Sequence, residues 1–196
     1  MTKLGLMGGT FDPIHHGHLV AAEEARSALG LERVLFIPAG TPWQKEGGPV
    51  TPKDQRFEMT KLAIADNEFF EVSRIELDRE GRTYTIETLQ VVREQVAPGA
   101  ELFFITGADA ILQILTWKDP EEALALATFV AVSRPGHDLH ELEELGVSDR
   151  VVRLEIPALA ISSTDIRRRV AVGRPIRYLV PEQVRRYVEE RHLYRA

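Results

Sequence analysis

The chain predicts a doubly wound α/β fold: a mostly parallel sheet with helices on both faces, layered α/β/α. Three observations carry this. Strand and helix signals alternate along all 196 residues, as they do where parallel strands are joined by helical crossovers. Leu4 to Met7 and Glu101 to Thr106 read as buried inner strands, since strands covered on both faces are nearly continuously apolar. Between the first strand and the first helix lies a glycine turn, Gly8-Gly9-Thr10, at the place where such sheets bind nucleotides.

The elements follow in order. Leu19 to Ala25 reads as the first helix and Arg33 to Ile37 as the second strand, stopped by Pro38. Ala39 to Pro52 is rich in glycine and proline and reads as a long loop, a kind of segment that is often functional inside a compact domain. Asp54 to Ala65 has a helical apolar side of Phe57, Met59, Leu62 and Ala63. Phe69 to Val72 and Ile75 to Leu77 read as short strands, or as one bent strand. A helix over Thr85 to Val96 precedes the inner strand at 101–106, and another helix follows Gly107-Ala108-Asp109. Thr128 to Ser133 is a further strand and Val151 to Ile156 an edge or late one. Ser163 to Val172 and Glu182 to Arg191 are terminal helices. The expectation is one domain over residues 1–196 with a C-terminal helical segment from about 163, which suits a chain of this length.

Composition narrows the function. Apolar residues make up 44% and charged residues 28%, an ordinary globular balance. No apolar run reaches membrane-spanning length, and Met1 leads straight into a strand, so neither a membrane span nor a secretory leader is expected. The chain has no cysteine, which excludes disulfides, thiolate catalysis and cysteine metal sites and suits a cytoplasmic protein. A net charge of −6 argues against a general nucleic-acid binder, which needs a basic face. It leaves open phosphorylated small molecules, because a local field can differ in sign from the whole. A homo-oligomer is compatible with this composition.

The most informative segment is Gly8-Gly9-Thr10-Phe11-Asp12-Pro13-Ile14-His15-His16-Gly17-His18. The spacing His15-x-x-His18 puts both imidazoles on one side of a first helical turn, and a helix N-terminus favours phosphate. One histidine there would more often cap the helix; two after a glycine turn favour phosphate contact. The chain has neither the G-x-G-x-x-G dinucleotide fingerprint nor a P-loop, which argues against hydride transfer on a nicotinamide cofactor.

This segment resembles the (T/S)-F-D-x-x-H-x-G-H signature of the HIGH-type nucleotidyltransferases, position by position. The resemblance implies a Rossmann-like nucleotidyltransferase fold. It implies a reaction in which a phosphate oxygen of one substrate attacks the α-phosphorus of a nucleoside triphosphate and pyrophosphate leaves. Gly8, Gly9, Thr10 and Phe11 are carried over to ATP binding, and His18, helped by His15, to the charge that builds on the α-phosphate. His16 is read as structural.

Ile161-Ser162-Ser163-Thr164-Asp165-Ile166-Arg167 reads first as a serine N-cap with Asp165 completing a capping box. It also resembles the I-S-S-T-x-I-R motif of bacterial nicotinate-nucleotide adenylyltransferases. That resemblance assigns Ser163, Thr164 and Arg167 to the ATP phosphates, with Arg167 beside the histidines as a catalytic residue. Arg168 and Arg169 are read as solvated. In Pro38-Ala39-Gly40-Thr41-Pro42-Trp43-Gln44-Lys45 the family usually has P-P-H-K; Trp43 and Gln44 depart from it, and Lys45 keeps its place as a phosphate ligand for either substrate. Arg82-Thr83-Tyr84-Thr85 resembles the family's S-Y-T, with Thr85 at the pyridine substituent. Trp117 matches an aromatic platform for the pyridine ring, a sensible use of an indole face, with Lys118 where many relatives have a second aromatic. Gly107 and Asp109 are assigned to ATP, the latter through a ribose hydroxyl. Ser133-Arg134-Pro135-Gly136 resembles the family's S-R-P-G, with Arg134 on the mononucleotide. Tyr178-Leu179-Val180-Pro181 matches a C-terminal family pattern and is read as structural.

The resemblance covers essentially the whole chain. It implies an enzyme of NAD biosynthesis that joins ATP and nicotinate mononucleotide into deamido-NAD and pyrophosphate. Mg²⁺ is expected to ride on the triphosphate; the sequence shows no carboxylate cluster to hold it, so no metal-ligating residue is assigned. The alternatives are the same transfer to nicotinamide mononucleotide or phosphopantetheine, and a non-catalytic nucleotide sensor.

Overall fold

The computed structural model describes residues 2–41, 50–133, 146–157 and 159–195. Six strands form one parallel sheet: β1 (Lys3–Gly9), β2 (Arg33–Pro38), β3 (Phe70–Val72), β4 (Glu101–Gly107), β5 (Thr128–Ser133) and β6 (Val151–Glu155), in the order β3-β2-β1-β4-β5-β6. From β1 the chain winds outward through β2 and β3, then returns to the other side of β1 for β4. The switch point therefore lies between β1 and β4, where doubly wound sheets open a crevice at their carboxyl ends.

The strands are apolar on both faces, so each splits its side chains between two cores. Met7, Val34, Phe36, Phe103, Ile105 and Val130 face a core completed by α1 (His16–Leu29), α2 (Lys53–Ala63), α6 (Ser163–Ala171) and α7 (Glu182–Glu190). Leu4, Leu6, Ile37, Leu102, Phe104 and Phe129 face a second core covered by α3 (Thr85–Gln95), α4 (Ala108–Ile111) and α5 (Pro120–Leu126). Three layers result, and the two C-terminal helices join the same core as α1 and α2. Among the described residues no helix is long and apolar enough to cross a membrane.

Two segments differ from their sequence reading. Ile75 to Leu77 is a turn, not a strand. After the ladder ends at Ser73, the Ser73 hydroxyl accepts from Ile75 N–H at 3.2 Å and Asp78 N–H closes on the Arg74 carbonyl at 3.0 Å. Side-chain and local bonds take over from the sheet, and the apolar spacing serves packing instead, with Leu77 fully buried. The helix after Gly107 is one short turn, and a separate helix, α5, follows it. Asp119-Pro120-Glu121-Glu122 marks that start, with proline in the first turn and acids behind it.

Candidate active site

The opening loop is built on close backbone approaches. A Cβ at Gly9 would lie 2.7 Å from the Phe11 ring, and one at Gly8 3.1 Å from Phe104. Phe11 takes a left-handed φ of 49°, which turns its ring inward, where it is buried edge-on to His18 with centroids 5.1 Å apart. Phe11 thus stands behind His18, and its side chain lines neither cleft described below.

His15 is the N-cap of α1 and His18 its third residue. The rings stack with centroids 3.7 Å apart. His15 N–H donates to His18 Nδ1 at 3.2 Å, so the proton of neutral His18 sits on Nε2. His15 is 6% exposed; burial, and then the charge of His16, lower its pKa to about 4. His15 is therefore neutral at physiological pH. His16 is a strut: its N–H donates to Leu179 carbonyl oxygen at 3.1 Å, joining the Tyr178 to Pro181 segment to the start of α1.

Two clefts open at the carboxyl ends of β1 and β4. The larger, about 500 Å³, is lined by His15, Gly17 and His18 from α1, by Gly107 and Asp109 after β4, and by Ser162, Ser163 and Thr164 at the start of α6. It unites residues almost 150 positions apart. Ser162 caps α6, its hydroxyl accepting from Asp165 N–H at 3.1 Å. The Asp165 carboxylate turns away, to Arg168 at 2.7 Å and Arg169 at 2.6 Å, so half of the expected capping box forms and those arginines are ion-paired. Ser163 Oγ donates to the Pro13 carbonyl at 2.9 Å, and Arg167 Nη1 to the Asp12 carbonyl at 2.7 Å. Arg167 also reaches Thr164 Oγ1 at 3.4 Å. These bonds lash the two motifs together, and Arg167 serves that joint.

The smaller cleft, about 140 Å³, is lined by Gly8, Gly9 and Thr10, by Glu76, Thr83 and Thr85, and by Trp117 and Lys118. The residues expected at the pyridine thus converge here. Trp117 stands edge-on to Phe104 and Phe129, and its Nε1 is buried without a hydrogen-bond partner among the described residues. Lys118 lies over the Tyr84 ring, 4.9 Å from its centroid, and pairs with Glu87 at 2.8 Å. Gly8, Gly9 and Thr10 line this cleft and not the one that holds the histidines. Lys45 and Arg134, with Trp43 and Gln44, fall outside the described residues.

Sequence reasoning missed two buried charges. Arg56 is 1% exposed and donates to four carbonyls: Thr51 (2.9 Å), Thr10 (2.8 Å), Ala39 (2.6 Å) and Gly40 (3.1 Å). It pins the glycine turn to the loop after β2. Glu76, in the wall of the smaller cleft, accepts from Thr88 Oγ1 at 2.7 Å. Burial raises its pKa against the Thr88 and Thr83 hydroxyls and nearby Arg79, which favour the charged form. Neither had a local signal, since arginine and glutamate are exposed by default.

A glycine turn at the switch point, paired imidazoles on a helix start, and a second helix start facing them define a nucleotidyltransferase site on an α/β sheet. The chain matches the cytidylyltransferase-like family over residues 6–169. Relatives named "Probable nicotinate-nucleotide adenylyltransferase" include those of Leifsonia xyli subsp. xyli, 58% identical with 99% of this chain and 94% of the relative covered, and Streptomyces coelicolor, 56% identical with 97% and 100% covered. That of Corynebacterium kroppenstedtii is 54% identical with 98% and 90% covered. The fold matches Plasmodium falciparum nicotinic acid mononucleotide adenylyltransferase complexed with NaAD at a TM-score of 0.80 and 18% identity, covering 99% of this chain and 98% of that one. The chain belongs to the cytidylyltransferase-like family and, within it, to the nicotinate-nucleotide adenylyltransferases.

Proposed function

We propose that the chain transfers AMP from ATP to nicotinate mononucleotide, giving deamido-NAD and pyrophosphate. The observation that carries this reading is the division of the crevice. Histidines and a helix start suited to phosphate line one cleft; an indole, hydroxyls and an ammonium suited to a pyridine nucleotide line the other; the tip of β1 lies between them.

The triphosphate lies along the larger cleft, against the start of α6, where the backbone N–H groups of Ser163 and Thr164 and the Thr164 hydroxyl meet it. His18 donates from Nε2 to a non-bridging oxygen of the α-phosphate. Its tautomer is fixed by His15 N–H, so the donor is oriented before charge develops on the five-coordinate phosphorus. The mononucleotide lies in the smaller cleft, its ring against Trp117 and its substituent near Thr85, and its phosphate oxygen attacks the α-phosphorus. The bond to the β-phosphate breaks and pyrophosphate departs. No side chain is covalently modified, and catalysis is positioning with charge stabilisation. Lys45 and Arg134 complete the phosphate contacts in this proposal.

Mg²⁺ supplies further charge neutralisation on the triphosphate. Among the described residues no group of three or more histidine or acidic side chains is placed to hold a metal, and both Asp12 oxygens are already bonded. The nucleotide's own oxygens are its natural ligands, which suits an ion that keeps several waters.

Pyrophosphate release with ATP and a panel of acceptors tests the reading. Nicotinate mononucleotide should give the highest kcat/KM, above nicotinamide mononucleotide and phosphopantetheine. Preference for the amide overturns the substrate; no release with any acceptor, with ATP still bound, leaves a sensor.

A further inference from the structure

Tyr194, near the end of the chain, reaches the opening loop. Its hydroxyl donates to Asp12 Oδ1 at 2.7 Å across 182 positions of sequence. Asp12 is 2% exposed and lies between Phe11, which backs His18, and Pro13, whose carbonyl accepts from Ser163. The other Asp12 oxygen accepts from Thr51 N–H at 3.2 Å, and its carbonyl accepts from Arg167. One buried residue thus joins the tail, Arg167 of α6 and the chain entering α2.

The tail is shaped for this contact. His192 and Tyr194 have left-handed φ values of 52° and 62°, which non-glycine residues seldom adopt. Within the turn, Leu193 N–H closes on the Val188 carbonyl at 3.0 Å. Beyond it, the Tyr194 hydroxyl lies 3.9 Å from Met59 Sδ and bonds to Asp12. Burial and the charge of Asp12 push this hydroxyl well above the ordinary phenol range, so it remains a donor at any working pH.

We infer that Tyr194 is a positioning residue of the active site, which fixes Asp12 and, through the loop Asp12 belongs to, the Phe11–His18 pair. The inference rests on the adenylyl-transfer reading above. Without the hydroxyl, a buried carboxylate loses a partner and rotates or recruits water. The loop carrying Phe11 then shifts at the ring that backs His18, while Thr85, Trp117 and Asp109, which line the clefts from α3, the chain after β4 and α4, are held by other elements. The loss therefore falls on kcat.

The test compares wild type, Tyr194→Phe, Asp12→Asn and the double variant by pyrophosphate release, well below each unfolding midpoint, with ¹⁵N-histidine spectra of each. Tyr194→Phe keeps the ring and its packing. It should lower kcat roughly tenfold, since small misplacements at reacting groups are costly, with both KM values within about twofold. The His15 and His18 imidazole resonances should move, and the two substitutions should be non-additive in kcat, as expected of groups acting together. A kcat within about twofold of wild type overturns the inference. So do additive effects, or a fall in kcat with unmoved histidine resonances. If wild type releases no pyrophosphate, the functional reading fails separately, and the histidine resonances alone decide whether Tyr194 sets the loop.

Discussion

His15 will cost the protein stability as the pH falls, and His15→Gln will remove that loss. The ring is buried against His18, and burial together with His16 holds its pKa near 4. In the unfolded chain it titrates near 6.5. Between these values the unfolded chain binds more protons than the folded one, so stability rises with pH in that window. Above 6.5 the residue is neutral in both states. The loss develops as the pH falls from 6.5 to about 4 and is complete below that. A gap from 6.5 to about 4 corresponds to about 3 kcal/mol at roughly 1.36 kcal/mol per pH unit, a large share of the stability of an ordinary domain.

Urea unfolding of both proteins from about pH 7.5 to about pH 4.5 measures this. Carboxylates titrate in both proteins, so the difference between the two stability curves isolates His15. That difference should shift by roughly 2 kcal/mol or more across the range in favour of the variant at low pH. A bound triphosphate favours the protonated ring, so saturating ATP should shrink the shift. Parallel curves for wild type and His15→Gln would refute the burial argument, and an ATP effect of the opposite sign would refute the placement of the anion.

His18→Ala should lower kcat on the order of a hundredfold or more, the scale of one preorganised donor, with ATP affinity by calorimetry within a few-fold; unchanged turnover would remove His18 from the chemistry. Gly9→Ala places a Cβ 2.7 Å from the Phe11 ring. It should cost about 1–3 kcal/mol in denaturant unfolding, as overpacking does. It should also lower kcat, because the displaced ring is the one that backs His18.

The alternation of strands and helices was legible because each central strand is apolar on both faces and each crossover ends in turn residues. The histidine pair and the Ser162 cap were legible for a similar reason: both are local patterns at helix starts. Ile75 to Leu77 misled because an apolar–polar–apolar sequence reads the same in a strand and in a turn whose bonds are made by Ser73 and Arg74, and here the polar Glu76 is itself buried. Arg56, Glu76 and the Asp12–Tyr194 bond were out of reach. Their meaning arises only when the topology brings residues 10, 39, 51 and 194 to one place. A buried guanidinium that bonds only carbonyls leaves no pattern within its own helix.

The arrangement of the sheet also accounts for the direction of the proposed reaction. In-line displacement needs the attacking and leaving oxygens on opposite sides of the α-phosphorus. Along β1 successive side chains point to opposite faces: Met7 belongs to the cleft of the histidines and Gly8 to that of Trp117. In the proposed arrangement two substrates seated on opposite faces of one sheet meet at its carboxyl end from opposite directions, and the strand tip between them must be thin enough for the phosphates to touch. Gly8 and Gly9 make it so: a Cβ at Gly9 would press into Phe11 at 2.7 Å on one face, and one at Gly8 would crowd Phe104 at 3.1 Å on the other. The rings that crowd the tip thus belong to the two cores behind the two clefts, and the same packing that builds the fold keeps the path between the clefts open.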